Sequence, residues 1–429
     1  MSDKLNILIL HRMGDPRTWL TSVRDLEYCL PDYAPEHHYI VHNAALPPPK
    51  FIKDIDFHGI ILGSTFLCNR CLPALYKKTL EDYSFIGNSD AFKIALPQDD
   101  YDCSAILEKW MLEWNIDLVY TVCPNHWDIL YPTISLDNKI KLGYTSYISE
   151  KMIERCKSPK PFSSRRTDVS YRSKLSYLGQ MRYTKGTIGN VFVNNIPFSD
   201  YVLNISTHPK DTIFGERWLD FIEDSKFVLG SNSGSSILDP EGELAADVNR
   251  YLASHRNATF EEVRKACFPE EDGTWNFTAI SPRNIEAALL ETAQICVPGP
   301  YSGIMQPEEH YIPIEPDGSN IQDVLAKMRD TASVGKMIRR CKEAFLAVEE
   351  LRYRHLVQEI LETITHGVSA KRITGTKPDQ MEKHIMSYKE FDETCSKYYW
   401  PYQRLWQRFK RTAKYLGAKK IKDFLTSRK

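Results

Sequence analysis

Short aliphatic runs, each followed within a few residues by a helical pattern, recur along this chain, and that alternation constrains its fold more than any other feature. Leu5–Leu10, Gly59–Leu62, Phe92–Leu96 and Leu118–Val122 are apolar on both faces, as strands are when helices cover a sheet on each side. Ser104–Trp114 reads as one of the intervening helices. Strand and helix in turn predict a Rossmann-like sheet. A second alternation follows. It runs through a strand end at Ser176–Gly179, a strand at Tyr201–Ile205, a helix through Arg217–Ile222 and a strand end at Phe227–Leu229. Helices are then expected from Glu241 to Leu252, from Phe260 to Ala266 with Thr259 and Glu262 as capping box, and from Pro282 to Ala293. Strands at Ile295–Val297 and Tyr311–Ile314 and a helix over Asn320–Arg329 complete it, and Val334–Ile364 fits one long or two broken amphipathic helices.

The fold class is therefore α/β, with two Rossmann-like domains facing across a cleft and C-terminal helices. Lys157–Arg172, rich in Pro, Ser and basic residues, reads as the connector. The expected division is 1–160, 161–370, and a helical basic and aromatic tail over 371–429. A chain of 429 residues is long enough for two cores. Its 42% apolar and 26% charged residues are those of a soluble globular protein, and a net charge of -1 argues against nucleic acid as partner. The start lacks the pattern of an export signal, and no run approaches the roughly twenty apolar residues a spanning helix needs. The expectation is a cytoplasmic protein whose ten cysteines are reduced thiols. Cys68-Asn-Arg-Cys71 has no second pair, so no metal is expected there. From Trp400 onward ten Lys or Arg face one Asp, interleaved with Trp400, Tyr402, Trp406, Phe409, Tyr415 and Phe424. Such a stretch reads as a helix on the inner membrane surface, or as a solvated helix leading onward.

Ligands of open α/β sheets sit at strand carboxyl ends, which puts His11, Arg12, Gly14, Gln98, Asp99, Asp100 and His126 on one rim. In the second half, Phe227-Val-Leu-Gly-Ser-Asn-Ser-Gly-Ser-Ser-Ile-Leu-Asp-Pro-Glu-Gly-Glu243 reads as strand, tight loop and helix start. Small side chains and unpaired N–H groups there suit an anionic ligand. Two facing domains suit group transfer between two ligands. No P-loop lysine motif and no G-x-S-x-G elbow occurs, and the Asp-x-Asp matches Asp54/Asp56 and Asp100/Asp102 are unaccompanied. Those absences disfavour a kinase, a hydrolase and a metal-dependent transferase.

Ser176-Tyr-Leu-Gly-Gln-Met-Arg-Tyr-Thr-Lys-Gly186 resembles the opening of the donor domain in GT-B glycosyltransferases, where Arg and Lys after a glycine face the donor phosphates. Arg283–Glu291, Ile295–Gly303 with Tyr301-Ser302-Gly303, His310–Ile314 and Ser319–Val324 are similar to the nucleotide-contacting end of that domain. The likeness implies that Glu291 contacts the ribose. More narrowly, the chain resembles the retaining β-Kdo transferases of bacterial surface polysaccharide (lipopolysaccharide and O-antigen) assembly. That likeness implies a CMP-Kdo donor, a GlcNAc-terminated glycan or lipid-linked glycan acceptor, no metal or other cofactor, and double displacement through a sugar ester on an acidic loop residue.

This chain has Ser231-Asn232-Ser233-Gly234 at that loop, so an amide stands where the resemblance implies a carboxylate. Retention by two displacements needs a carboxylate that attacks the anomeric carbon and then leaves, and an amide does not serve. Asn232 is either a substitution of the nucleophile or a natural divergence, and Asp239 is the reserve carboxylate or a helix cap. A phosphate and a sugar carboxylate call for Arg182, Lys185, Arg283 and the Ser233, Gly234, Ser235 and Ser236 amides. The acceptor side is assigned His11, Arg12, Asp99, Asp100 and His126, with the acid/base left open among His11, Asp99, Asp100 and His126. Two other readings stand beside this one. Either the chain is a GT-B transferase using another nucleotide sugar with Asn232 native, or it is an inactive glycan- or nucleotide-binding subunit.

Overall fold

The computed structural model describes residues 4–196 and 200–415. Six parallel strands form the first sheet: β1 (Asn6–His11), β2 (His38–Asn43), β3 (Gly59–Leu62), β4 (Phe92–Ala95), β5 (Leu118–Thr121) and β6 (Ile140–Leu142), in the order β2-β1-β3-β4-β5-β6. β7 (Thr167–Arg172), β8 (Leu203–Ser206), β9 (Ser225–Gly230), β12 (Ala293–Cys296) and β13 (Ile312–Pro313) form the second parallel sheet, ordered β13-β12-β9-β7-β8. Between β9 and β12 in sequence, β10 (Ser233–Ser235) pairs antiparallel with β11 (Phe277–Ala279). Two Rossmann-like parallel sheets followed by C-terminal helices give the α/β class read from the sequence.

The period of two along each strand explains the burial. In β1, Leu8 and Leu10 face one core with Leu107, Trp110 and Met111 of the Ser104–Glu113 helix. Ile7 and Ile9 face the other, with Leu356, Val357, Ile360 and Ile364 of the Tyr353–Lys371 helix. That helix follows the second sheet in sequence yet closes the first. Ile364 fills the notch at Gly59, where a Cβ would sit 2.9 Å from its Cδ1, and at Gly367 a Cβ would lie 2.0 Å from Phe92. The Pro378–Thr394 helix then lays Met381 and Tyr388 into the Leu8 and Leu10 core. In the second sheet, Val169, Phe227, Leu229 and Ile295 pack on Ile188 and Phe192 of the Gln180–Asn195 helix.

Several expectations are corrected. The interior strand β7 lies inside the stretch read as connector, while Ser176–Gly179 is a loop. Thr167-Asp-Val-Ser-Tyr-Arg172 hides its strand because Asp168 is spent on Lys226 (2.7 Å) and Ser170 is buried, so polar residues occupy core positions. β2, with two His and an Asn, and the short edge strand β6 also escape a reading based on apolar runs. The 334–364 pattern resolves into helices Thr331–Leu346 and Tyr353–Lys371. The capping box at Thr259 and Glu262 is present.

The tail forms a helix over Trp400–Tyr415, tied to the first sheet by Arg404 to Asp15 (3.0 Å) and, just ahead of it, by Tyr399 to the Ala45 carbonyl (3.3 Å). Phe424 and the cations from Lys419 onward lie outside the described residues. Among the described residues no helix is long and apolar enough to cross a membrane.

Candidate functional site

The second sheet reverses direction at β7: the chain steps outward to β8, then returns to β9 on the other side. In doubly wound sheets that switch point opens a crevice beyond the strand carboxyl ends. Here those ends are Arg172 and Gly230. Gly230 is required, since a Cβ would come within 2.6 Å of Cys296 Sγ. The chain does not then pass through a tight loop into a helix. Ser233–Ser235 instead run as β10 beside β11, and Gly234 (φ +138°) leaves no room for a side chain against the Phe277 carbonyl. The helix begins only at Glu243, and its Leu244 and Ala245 N–H groups donate to the Asp239 carboxylate at 3.2 and 2.9 Å. That helix start is therefore taken by Asp239, which acts as its cap.

Asn232 sits at the mouth of the crevice with 6% of its surface exposed. Its Oδ1 accepts the Tyr301 N–H at 3.2 Å, and its Nδ2 lies over Gly299, where a Cβ would be 1.7 Å away. The clamp is a strained turn: Tyr301 and Ser302 hold φ of 41° and 52°, left-handed values that cost a non-glycine residue, and Gly303 follows at 76°. Ser302 Oγ accepts the Ile280 N–H (3.1 Å), and the buried Tyr301 hydroxyl donates to the Val297 carbonyl (2.6 Å). Tyr301 thus offers the site its backbone, and its ring belongs to the core against Tyr311.

Lys185 Nζ donates to Ser233 Oγ at 2.6 Å, one residue from Asn232. Burial and the neighbouring Arg283 and Arg182 push its ammonium down to about 8. A lysine held this way gains from an anion that neutralises it. Arg283, in the first turn of the Pro282–Leu289 helix, lies over the Tyr171 ring at 4.6 Å and the Trp218 ring at 5.6 Å. One of its terminal nitrogens donates to the Arg172 carbonyl, and its buried Nε has no partner among the described residues.

The side chains of four other expected donor residues have partners within the protein or are buried. Arg182 reaches the other half, where both Asp102 carboxylate oxygens accept from it at 2.8 Å and the Tyr101 ring lies 5.0 Å away. Ser236 Oγ donates to Asp272 (2.6 Å), whose carboxylate also receives the Gln180 N–H and so closes the start of the Gln180–Asn195 helix. Glu291 lies ahead of β12, at the opposite end of the strand from the crevice, paired with Lys342 at 2.7 Å. Ser235 is buried, its hydroxyl accepting the Ile237 N–H (3.1 Å).

A cavity of about 540 Å³ opens beside Arg283, walled by Arg172, His208, Trp218 and Glu286, with Thr21 of the first half opposite. Glu286 is buried and accepts the Trp218 indole N–H at 2.7 Å; burial raises its carboxyl to about 7. His208, Trp218 and Glu286 escape sequence reading because two of them sit within helices that read as ordinary packing. The only available signal is the shared 3.6-residue face of Arg283 and Glu286.

On the first half, the rim residues separate. His11 is buried under Trp19 and Tyr28, and burial, then His42, lowers its imidazole to about 3. Asp100 is fully buried: Thr121 and Tyr131 donate to its Oδ2, and burial raises its proton affinity. Neither can face an acceptor. Arg12 turns toward the Ala44 carbonyl (2.7 Å). His126 packs edge-on to Trp275 and Phe277, where β11 meets the first half. Asp99 alone of the proposed acids and bases is exposed.

No protein-family model matches this chain, and no curated protein matches its sequence. Among solved structures it is similar to an alpha-glucosyltransferase in complex with UDP and a 13-mer DNA containing a HMU base, at 10% identity over 85% of this chain and 100% of that one, with a TM-score of 0.48. It is also similar to HepE of Anabaena in complex with UDP-glucose, at 10% identity over 84% and 100% of the two chains and a TM-score of 0.43. A glycosyltransferase from Rickettsia africae ESF-5 is similar at 9% identity over 85% and 99%, with a TM-score of 0.46.

Proposed function

We propose that this chain is a glycosyltransferase whose nucleotide-sugar donor lies in the crevice of the second half and whose acceptor enters from the first. The carrying observation is the convergence at the switch point. A side chain at 232 is clamped at the crevice mouth, a half-buried lysine bonds the residue next to it, and a cavity large enough for a nucleotide opens beside Arg283, whose charge acts on that lysine. The narrower reading is transfer of Kdo from CMP-Kdo to a GlcNAc-terminated glycan with retention. A carboxylate at 232 would attack the anomeric carbon as the bond to the phosphate oxygen breaks, with Lys185 next to the departing charge. The acceptor hydroxyl would then displace that carboxylate. With Asn232 the first attack fails, so the chain as it stands is an impaired form.

Calorimetric titration of the protein with CMP, UDP and GDP tests the donor. CMP is expected to bind at least about tenfold more tightly than the diphosphates, a difference of ~1.4 kcal/mol, and Arg283→Ala to weaken it. Tighter binding of UDP or GDP favours the second reading, in which Asn232 is native and the sugar arrives on a diphosphate.

The tail supports a lipid-linked acceptor. Tyr398, Tyr402, Leu405, Trp406 and Phe409 recur at helical spacing, each 43–64% exposed, on a strongly basic segment docked beside the carboxyl ends of β1 and β2. An anionic bilayer surface fits that face. Sedimentation with anionic vesicles is expected to be lost in Leu405→Asp/Phe409→Ser and weakened by salt; equal binding to zwitterionic vesicles would remove the electrostatic part of the reading.

A further inference from the structure

The loop after β4 is held from beneath by a buried arginine. Arg70, buried at 1% exposure, spends its guanidinium on backbone carbonyls: Leu67 (3.1 Å), Gln98 (3.1 Å), Asp99 (2.7 Å) and Asp102 (2.9 Å). Within that grip Asp99 adopts a left-handed φ of 52° and Tyr101 donates to its Oδ1 at 2.6 Å. The next residues cross to the second half. Asp102 holds Arg182, the Cys103 N–H donates to the Asp239 carbonyl (2.7 Å), and the Asp239 N–H to the Tyr101 carbonyl (3.0 Å). Asp99 is thereby fixed at the seam between the halves, exposed, and it acts electrostatically on both Lys185 and Arg182. A short polar side chain pinned by one oxygen, with strained backbone and a buried clamp beneath it, is preorganised for work at its other oxygen.

We propose that Asp99 is the general base that receives the proton of the acceptor hydroxyl. The assignment rests on the transferase reading above and adds the step that reading leaves without a residue. As the acceptor oxygen forms its bond to the anomeric carbon, its proton passes to Asp99 Oδ2, and the bond between that carbon and the carboxylate oxygen at 232 breaks with its electron pair returning to the carboxylate. Asp99 is thus a catalytic residue of the second displacement and has no part in the first. The other rim groups are committed elsewhere: His11 and Asp100 to the core, His126 to the aromatic contact with Trp275 and Phe277.

The test separates the two displacements in the Asn232→Asp protein, with and without Asp99→Asn. Intact-protein mass spectrometry after mixing with CMP-Kdo reads the first step, and product formation with a GlcNAc-terminated acceptor reads the second. Azide, a nucleophile with no proton to lose, reads discharge without a base. Asp99→Asn is expected to form the covalent adduct within about twofold of its parent and to discharge it to azide equally, while transfer to the hydroxyl acceptor falls about 10²–10⁴-fold. Adduct formation also reports that the variant is folded. Transfer retained within about threefold, or equal losses in both steps, overturns the assignment while leaving the transferase intact. If Asn232→Asp yields neither adduct nor product, the double-displacement reading at position 232 fails and the base assigned to its second step falls with it.

Discussion

Replacing Asn232 by aspartate is expected to raise transfer from CMP-Kdo to a GlcNAc-terminated acceptor by on the order of 10³-fold or more, because loss of a nucleophile removes the covalent route entirely. The surroundings are already arranged for the carboxylate. The Tyr301 N–H that now meets Asn232 Oδ1 would meet an ionised oxygen, a stronger bond of about 1.5–3 kcal/mol. The other oxygen would replace Nδ2 over Gly299 without steric change. Donor affinity should therefore move little while turnover moves greatly, the signature of a group that acts in the transition state. Product stereochemistry and intact mass check the result: a retained anomer and a sugar ester on the loop are expected. If both proteins behave alike, position 232 is no nucleophile, and the reading returns to a transferase with Asn232 native.

Lys185→Met is expected to stabilise the empty protein and to cost about 100-fold in donor affinity, equivalent to ~2.7 kcal/mol. Burying an ammonium near two arginines, with Ser233 as its hydrogen-bond partner, works against folding, which is why its proton is released near pH 8. The folded pKa lies below the unfolded one, so the unfolded chain binds more protons between about 8 and 10.5. The cost is full below pH 8 and is relieved as pH rises through that window. Melting scans should place the methionine variant higher at pH 7, by on the order of 2–4 °C, with the gap closing toward pH 10. In the parent protein an arriving phosphate should raise the lysine's proton affinity. Calorimetry near pH 8 in buffers of different ionisation enthalpy would register proton uptake on donor binding. A variant that is both less stable and unimpaired in binding would mean that Lys185 serves packing alone.

What the sequence showed and what it concealed divide along physical lines. Both-face apolar strands such as Leu5–Leu10 announce themselves, because burial on two faces leaves a nearly continuous aliphatic run. β7 and β2 do not, because several of their positions carry polar side chains that are paired or hydrogen-bonded: Asp168 with Lys226, His42 with Tyr83 and Tyr388. At the site, the 231–236 stretch and Lys185 were legible and do meet. Direction was not legible. Gln98 to Asp102 all follow the same strand, yet Asp99 faces solvent, Asp100 the core and Asp102 the opposite half. A strand end locates residues on a rim and is silent about which way each side chain turns. Trp218 and Glu286 are hidden for a related reason, since one helical face both packs and lines a cavity.

The return of the Tyr353–Lys371 and Pro378–Thr394 helices to the first sheet sets the order in which the molecule can be built. One core of that sheet lacks Ile360 and Ile364, and the other lacks Met381 and Tyr388, until synthesis has passed those residues and both halves have left the ribosome. The first half to be synthesised is thus the last to be sealed, and the crevice of the second sheet can close over its own core while its neighbour still waits for its cover.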